Sequence, residues 1–476
     1  MLNLILLRTC VIVGWVLITY ACAAQAQSPN IIFVVADDLG YGELGSFGGT
    51  EIPTPHLDAL ASGGVRFTNA YVTAPFCAAS RAALMTARYQ SRFGFEHNPV
   101  GAKNAEAGVG LPVTEATIAE QLRSAGYATA LVGKWHLGGT APFHPYRRGF
   151  DEFFGFLHEG HYFVPPPWSE VTTWLRRKSL PDKSSGRWTS SNGRVIWSTH
   201  MGHREPDYDA DNPLLRGSQP VDEHEHLTDA FTREACDFIE RHTAQPFFLC
   251  LAYNAVHSPM QAADRTMQRF SHIEDDHRRI FAAMLGQLDD SIGRLVTKLR
   301  ETGIEERTLV VFLSDNGGPT KELTSSNLPL RGGKGDLWEG GIRVPLILSW
   351  IGTLPAGRVE HVPVSSMDVS ATALAVGGCA TPPHPLDGEN LLPLLKGETT
   401  TAPHTSLCWR LGKKQAVRSG HWKLVRDQPG PWQLYNLEQD LSETVNLARQ
   451  QTERTAELAR VWDAWNSEQF QSPGKE

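Results

Sequence analysis

Three features of the sequence predict an α/β fold: a large domain with a mostly parallel central sheet flanked by helices, then a small α+β unit. Short apolar runs alternate with helical stretches through most of the 476 residues. The turns after several of those runs carry Asp, Lys or His, as expected where an open sheet gathers a ligand beyond the carboxyl ends of its strands. Past about residue 399 the alternation stops, and four short strand-like segments follow one another.

Residues 1–26 stand apart. Arg8 is their only charge, an apolar run covers 11–18, and Ala24-Gln25-Ala26 has the small-x-small pattern of a signal-peptidase site. The run is short for a membrane span, and no later segment offers about 20 apolar residues. The expectation is an exported protein, periplasmic or secreted and not integral to a membrane. Anchoring as a lipoprotein on Cys22 is the less favoured alternative, because Thr19-Tyr20-Ala21 is a poor approach to such a site.

Within 27–398, strands are expected over 30–36, 128–132, 247–253, 308–313 and 345–350. Helices are expected over 54–62, 80–87, 115–125, 228–242, 279–302 and 366–376. The 279–302 stretch is the clearest, with Ile280, Met284, Gln287, Leu288, Ile292 and Leu295 at roughly helical spacing. Residues 156–227 are rich in Pro, Trp, His and polar side chains and read as an insertion at the edge or mouth of the sheet. Its stretch "RWTSSNGRVIW" predicts a hairpin turning at Asn192-Gly193. In the 399–476 unit, "SLCWR", "KQAVRS", "HWKLVR" and "WQLYNL" read as antiparallel strands ahead of a helix over about 450–468.

The formal net charge is −8, and removing 1–26 makes the remainder one unit more negative. That balance argues against nucleic acid as a partner. An anionic ligand must instead be held by a local cluster of cations. Five cysteines lie beyond residue 26: Cys77, Cys236, Cys250, Cys379 and Cys408. Five is odd, so an oxidising compartment leaves at least one unpaired, while the other four allow up to two disulfides or buried thiols.

The turns after the strands supply the chemistry. They read Asp37-Asp38, Gly133-Lys134-Trp135-His136, His257-Ser258-Pro259 and Ser314-Asp315-Asn316-Gly317-Gly318. Asp37, Asp38, Asp315 and Asn316 offer only hard oxygen donors, which suits Ca²⁺ or Mg²⁺ rather than Zn²⁺. Arg81, Lys134 and the Lys334 of "RGGKGD" add positive charge, and His136 and His257 add groups that titrate near neutrality. A metal, several cations and two histidines describe a site for a tetrahedral oxyanion and an acid–base transfer. Cys77 falls just before the expected helix over 80–87, where free N–H groups favour an anion, so it reads either as a thiolate nucleophile or as a structural cysteine.

These blocks together resemble the sulfatase family of the alkaline-phosphatase-like superfamily. "IIFVVADDLGYGELGSFGG", "TPHLDALASGGVRFTNAYV", "CAASRAALMTARY", "YATALVGKWHLG", "VVFLSDNGG" and "LRGGKGDLWEGGIRVP" stand in the family's usual order across most of 28–450. The resemblance implies that Cys77, in Cys77-Ala78-Ala79-Ser80-Arg81, is oxidised by a formylglycine-generating maturation system to Cα-formylglycine, whose hydrate is the nucleophile. Two positions depart from the usual pattern: Ala79 stands where Pro is commoner, and Ala87 where Gly is usual. The resemblance further implies one Ca²⁺ held by Asp37, Asp38, Asp315, Asn316 and residue 77. It assigns Arg81, Lys134 and Lys334 to the sulfuryl oxygens, His257 to the leaving alcohol and His136 to the sulfated hydrate.

The resemblance is strongest to the subgroup of N-acetylgalactosamine-6-sulfatase and bacterial polysaccharide sulfatases, which implies a sulfated carbohydrate substrate. Four of the thirteen tryptophans, Trp168, Trp174, Trp188 and Trp197, lie in the 156–227 insertion. Their rings suit stacking on sugars, or packing of the insertion's own small core. His158, His161, Trp168, Arg187 and Arg194 are the candidate substrate residues. Two rival readings are a formylglycine-dependent phosphodiester or phosphonate hydrolase, and a non-catalytic glycan-binding protein whose Cys77 is never oxidised.

Overall fold

The computed structural model describes residues 28–471, and the expected export signal lies outside them. Five parallel strands form the centre of a ten-stranded sheet, in the order Glu152–Phe156, Ala128–Lys134, Phe247–Ala252, Asn30–Ala36 and Thr308–Ser314. Next to Thr308–Ser314 runs Leu346–Ser349, which is antiparallel to it, followed by Val65–Phe67 and Arg358–Glu360. The apolar run "NIIFVVA" forms a central strand buried on both faces. Ile32, Val34 and Ala36 pack towards helices Leu227–Arg241 and Asp276–Glu301, while Ile31, Phe33 and Val35 pack towards Cys77–Thr86, Ile118–Ser124 and Ser366–Val376. No helix among the described residues is long and apolar enough to cross a membrane.

One boundary matters for the chemistry. The second helix begins at Cys77 and ends at Thr86, so Cys77 is its first residue and does not precede it as expected. Phe76 is extended (φ −157°) and has no side-chain cap, which lets the small Cys-Ala-Ala-Ser run form the first turn. All five cysteines among the described residues are free, so neither of the disulfides the sequence allowed is formed.

The 156–227 insertion is tied to the main domain at two places. Leu215–Arg216 and Gln219–Pro220 extend the edge of the large sheet. Val171–Arg176, Val195–Ser198 and Arg187–Thr189 form a second sheet whose fourth strand, Met260–Ala263, comes from the segment that follows His257. The Asn192-Gly193 turn joins the last two insertion strands as expected, with Gly193 at φ 73°.

The C-terminal strands Leu407–Leu411, Lys414–Ser419, Trp422–Arg426 and Gln433–Asn436 form an antiparallel meander. One face carries helix Thr452–Ser467 through Leu458 and Trp462, and the other packs Trp409, Val425 and Tyr435 onto Tyr71, Leu337 and Ile342. This second face also braces the loop that carries Lys334. Lys414 Nζ donates to Gly335 O (2.7 Å), the Leu337 N–H to Asp427 Oδ1 (2.6 Å) and Arg331 Nη1 to Glu443 O (2.8 Å). At the centre, Lys423 is fully buried between Glu339 (2.9 Å) and Glu443 (2.8 Å). Deleting that cation strands two desolvated carboxylates, so Lys423→Met is expected to cost about 3–5 kcal/mol in urea unfolding.

Candidate active site

The strand ends converge. Asp37 and Asp38 follow the central strand, Lys134 ends the strand two places away on one side, and Asp315 and Asn316 follow the adjacent strand on the other. Two glycines permit the approach. A Cβ on Gly133 (φ 109°) would lie 1.9 Å from Ala252 O, and one on Gly317 would lie 1.8 Å from Gly340 O. Asp38 (φ 65°) and His136 (φ 57°) both take left-handed backbone conformations, the kind of strain that collects at functional sites.

Ligand atoms of Asp37, Asp38, Cys77 and Asp315 all lie within 4.8 Å of one another, and all four residues are buried. Three cations face the three carboxylates. Lys134 Nζ donates to Asp37 Oδ2 (2.6 Å), Lys334 Nζ to Asp38 Oδ2 (2.8 Å) and Arg81 Nε to Asp315 Oδ2 (2.9 Å). Arg81 also reaches Lys134 O through Nη1 (3.1 Å), which ties the helix of Cys77 to the end of the Ala128–Lys134 strand. Cys77 Sγ lies 3.5 Å from Asp37 Oδ1.

Burial dominates the electrostatics. It would raise the Asp38 carboxyl, but Lys334 and His257 outweigh it and hold Asp38 at about 2. Asp315 is raised by burial and by the nearby Asp37 charge, against Arg81 and Lys134. Burial pushes the Cys77 thiol far above its ordinary range despite Lys134 and Lys334. The unmodified thiol therefore stays protonated and is a poor nucleophile.

A hard divalent cation fits these donors. Asn316 Nδ2 donates to Asp38 Oδ1 (2.7 Å), while its Oδ1 is buried without a hydrogen-bond partner. A buried oxygen with an unused lone pair, beside three crowded carboxylates, matches the oxygen-only coordination of Ca²⁺.

The two histidines are held in opposite tautomers by backbone carbonyls, which can only accept. His136 Nε2 donates to Pro99 O (2.9 Å), leaving its buried Nδ1 unpartnered as a free acceptor. His257 Nδ1 donates to Ser258 O (2.5 Å), so its Nε2 faces the site, 3.6 Å from Asp38 Oδ2. Burial and the Lys334 charge hold His257 at about 4 against the pull of Asp38, and burial with Lys134 puts His136 well below its ordinary value. The sequence did not mark the segment that sets His136. Asn98 Oδ1 accepts the Ala78 N–H (3.1 Å) at the start of the Cys77 helix, and Pro99 supplies the carbonyl. A carbonyl carries no residue-type signal, and Asn98 lies in an irregular loop.

The candidate substrate residues fall into two groups. His158 is buried, and its ring lies where a side chain on Gly139 would meet it. His161 is half-buried, stacks near Phe156 (5.5 Å), and its carbonyl accepts from Asn254, on the loop that carries His257. Trp168 lies 5.6 Å from Tyr162. Arg187 and Arg194 sit on the outlying strands, ion-paired with Asp275 (3.3 Å) and Asp264 (2.6 Å). Of the tryptophans, Trp174 is buried and stacked on His277 of the long helix (4.1 Å, ring planes nearly parallel), and Trp188 is exposed and stacked on Trp197 (4.6 Å).

The family description Sulfatase matches residues 29–379, and N-sulphoglucosamine sulphohydrolase, C-terminal matches 333–464. Human N-acetylgalactosamine-6-sulfatase is 36% identical over 390 residues, covering 79% of this chain and 68% of that protein. Mouse steryl-sulfatase is 34% identical over 431 residues, covering 80% of this chain and 67% of its own. The crystal structure of Ps i-CgsB in complex with k-i-k-neocarrahexaose superposes with a TM-score of 0.81 at 34% identity, covering 94% of both chains.

The helix of Cys77 ends at Thr86, and Ala87 after it takes a left-handed φ of 55° while its carbonyl accepts from the Asp387 and Gly388 N–H groups. A residue with a Cβ is strained there by roughly 1–2 kcal/mol. Ala87→Gly is therefore expected to raise stability by about 0.5–1 kcal/mol after its entropic cost, read by thermal unfolding.

Proposed function

The chain belongs to the sulfatase family and is a sulfuric ester hydrolase; from that premise we propose that it removes sulfate from a sulfated carbohydrate. In this reading residue 77 is matured from cysteine to formylglycine, and Asp37, Asp38, Asp315 and Asn316 hold one Ca²⁺. The observation that carries it is the packing of Cys77, four hard-oxygen residues and three cations around one point. A protonated, buried Cys77 also supports maturation, since the thiol is a poor nucleophile as it stands. When present, Ca²⁺ supplies positive charge beside residue 77, and formylglycine supplies a hydrated aldehyde that attacks sulfur and later expels sulfate without a second attack by water.

The chain's own groups do the rest. Lys134, Lys334 and Arg81 neutralise the sulfuryl oxygens as charge develops in a buried, weakly screened site. Protonated at Nε2 as well as Nδ1 once the anionic ester is bound, His257 gives the Nε2 proton to the leaving alcohol oxygen as the S–O bond breaks and returns to the neutral Nδ1–H ring. The negative charge of a bound sulfate ester beside Lys334 opposes the influence that keeps His257 neutral in the free site. His136, with its Nδ1 lone pair unpartnered, takes the proton released at residue 77.

A glycan substrate is supported by the oligosaccharide-bound relative, which matches 94% of this chain, and by the carbohydrate named in the human relative. An algal galactan or a glycosaminoglycan-type glycan fits both. Export follows from the leader pattern in residues 1–26.

Three experiments test this reading. Mass spectrometry of the peptide spanning Cys77 is expected to show the lighter aldehyde, and Cys77→Ser is expected to be inactive or to stall as a sulfated enzyme. Multiple turnover by that variant would contradict the scheme. Ca²⁺ at a hundredfold its Kd is expected to stabilise the protein by about 2.7 kcal/mol in thermal unfolding. Asn316→Ala should need distinctly more Ca²⁺ for the same gain, and an unchanged titration would remove Asn316 from the metal site.

A further inference from the structure

Behind His257 lies a buried polar network that joins the insertion to the leaving-group side of the site. Arg176, the last residue of insertion strand Val171–Arg176, makes a fork to Glu205 through Nε (2.9 Å) and Nη2 (2.6 Å). Its Nη1 lies 2.7 Å from Glu322 Oε1, and its Nη2 also reaches Tyr208 Oη (3.1 Å) and Ser258 Oγ (3.3 Å). Ser258 Oγ in turn donates to Glu322 Oε1 (2.8 Å) and lies 2.9 Å from Tyr208 Oη. The Tyr208 ring stands edge-on to His257 at 6.1 Å. Arg176, Glu205, Tyr208 and Ser258 are all buried.

The residue that this network grips is the one whose carbonyl sets the His257 tautomer. Ser258 O accepts from His257 Nδ1, while Ser258 Oγ is fixed from three directions. The peptide carbonyl and the ring are thus held together, and Nε2 is kept on the side of Asp38 and Lys334. Glu322 also opposes the Lys334 charge at His257. A solvent-exposed Arg–Glu pair would carry little energy, but a forked and desolvated one fixes geometry.

We infer that Arg176, Glu322 and Ser258 are positioning residues for His257, aligning its Nε2–H with the leaving oxygen and so making the insertion a determinant of which alcohols the enzyme releases. The step they serve is the cleavage of the ester S–O bond. The ring, protonated at both nitrogens, gives its Nε2 proton to the alcohol oxygen, which keeps the S–O electron pair, and returns to the neutral Nδ1–H form, while the sulfuryl group passes to residue 77. The inference rests on the sulfatase reading above for its kinetic consequence, and on the hydrogen bonds alone for its structural one.

Its test compares leaving groups. 4-Nitrophenolate departs without a proton, whereas a sugar or alkyl alkoxide does not. Ser258→Ala and Glu322→Gln are expected to keep kcat/KM on 4-nitrophenyl sulfate within about twofold and to lose about 10–100-fold on an alkyl or sugar sulfate. Combining Ser258→Ala with His257→Ala should add nothing to the loss caused by His257→Ala alone. An equal fall on both substrates, or no fall on the alkyl ester in a variant with unchanged thermal unfolding, overturns the inference. Arg176→Lys, which keeps the charge but loses the fork, should show the same selectivity as Ser258→Ala. Ring ¹⁵N NMR reads the His257 tautomer without substrate: Nδ1–H in the wild type, and a mixture in Ser258→Ala and Glu322→Gln. An unchanged tautomer there overturns the positioning role even if no sulfate ester is turned over, while inactivity of the wild type on every sulfate ester counts against the functional reading instead.

Discussion

Three carboxylates and three cations are buried together at the carboxyl end of a parallel sheet, and most of the structure serves to make that arrangement tolerable. Each of Asp37, Asp38 and Asp315 has lost its water, and each recovers part of the loss from Lys134, Lys334 or Arg81. The pairs come from distant parts of the chain, so the charges can be compensated only when the fold is complete. Charges held this way are already oriented when a tetrahedral anion enters, and little reorganisation remains for the reaction step.

The two histidines are distinguished by a simpler device. Rings of the same chemistry are held in opposite tautomers by which nitrogen faces a carbonyl. Pro99 O takes the Nε2–H of His136 and leaves Nδ1 as an acceptor; Ser258 O takes the Nδ1–H of His257 and leaves Nε2 facing Asp38. Burial first, and then Lys134 beside His136 and Lys334 beside His257, holds both rings below their ordinary values.

The outlying parts of the chain act through the loops they hold. The C-terminal meander contributes none of the charged groups at the site, yet Lys414, Asp427 and Glu443 grip the loop on either side of Lys334. The insertion sheet borrows its fourth strand from the segment after His257, so its position and that of the histidine are mechanically joined.

The sequence by itself determined the fold class, the order of the strands' chemistry and the kinds of donor at each strand end. Those follow from period, composition and residue type, which are local: a continuous apolar run such as 30–36 suits a strand buried on both faces of an α/β sheet, and Asp37-Asp38 after it offer only hard oxygen donors. Tertiary structure alone decided that the Cys77 helix starts at Cys77, that Asn98 caps it, that Arg187 and Arg194 are engaged by Asp275 and Asp264, and which nitrogen of each histidine is free. These depend on where backbone carbonyls and amides point after long-range packing. Every residue carries those groups, so no residue type announces them.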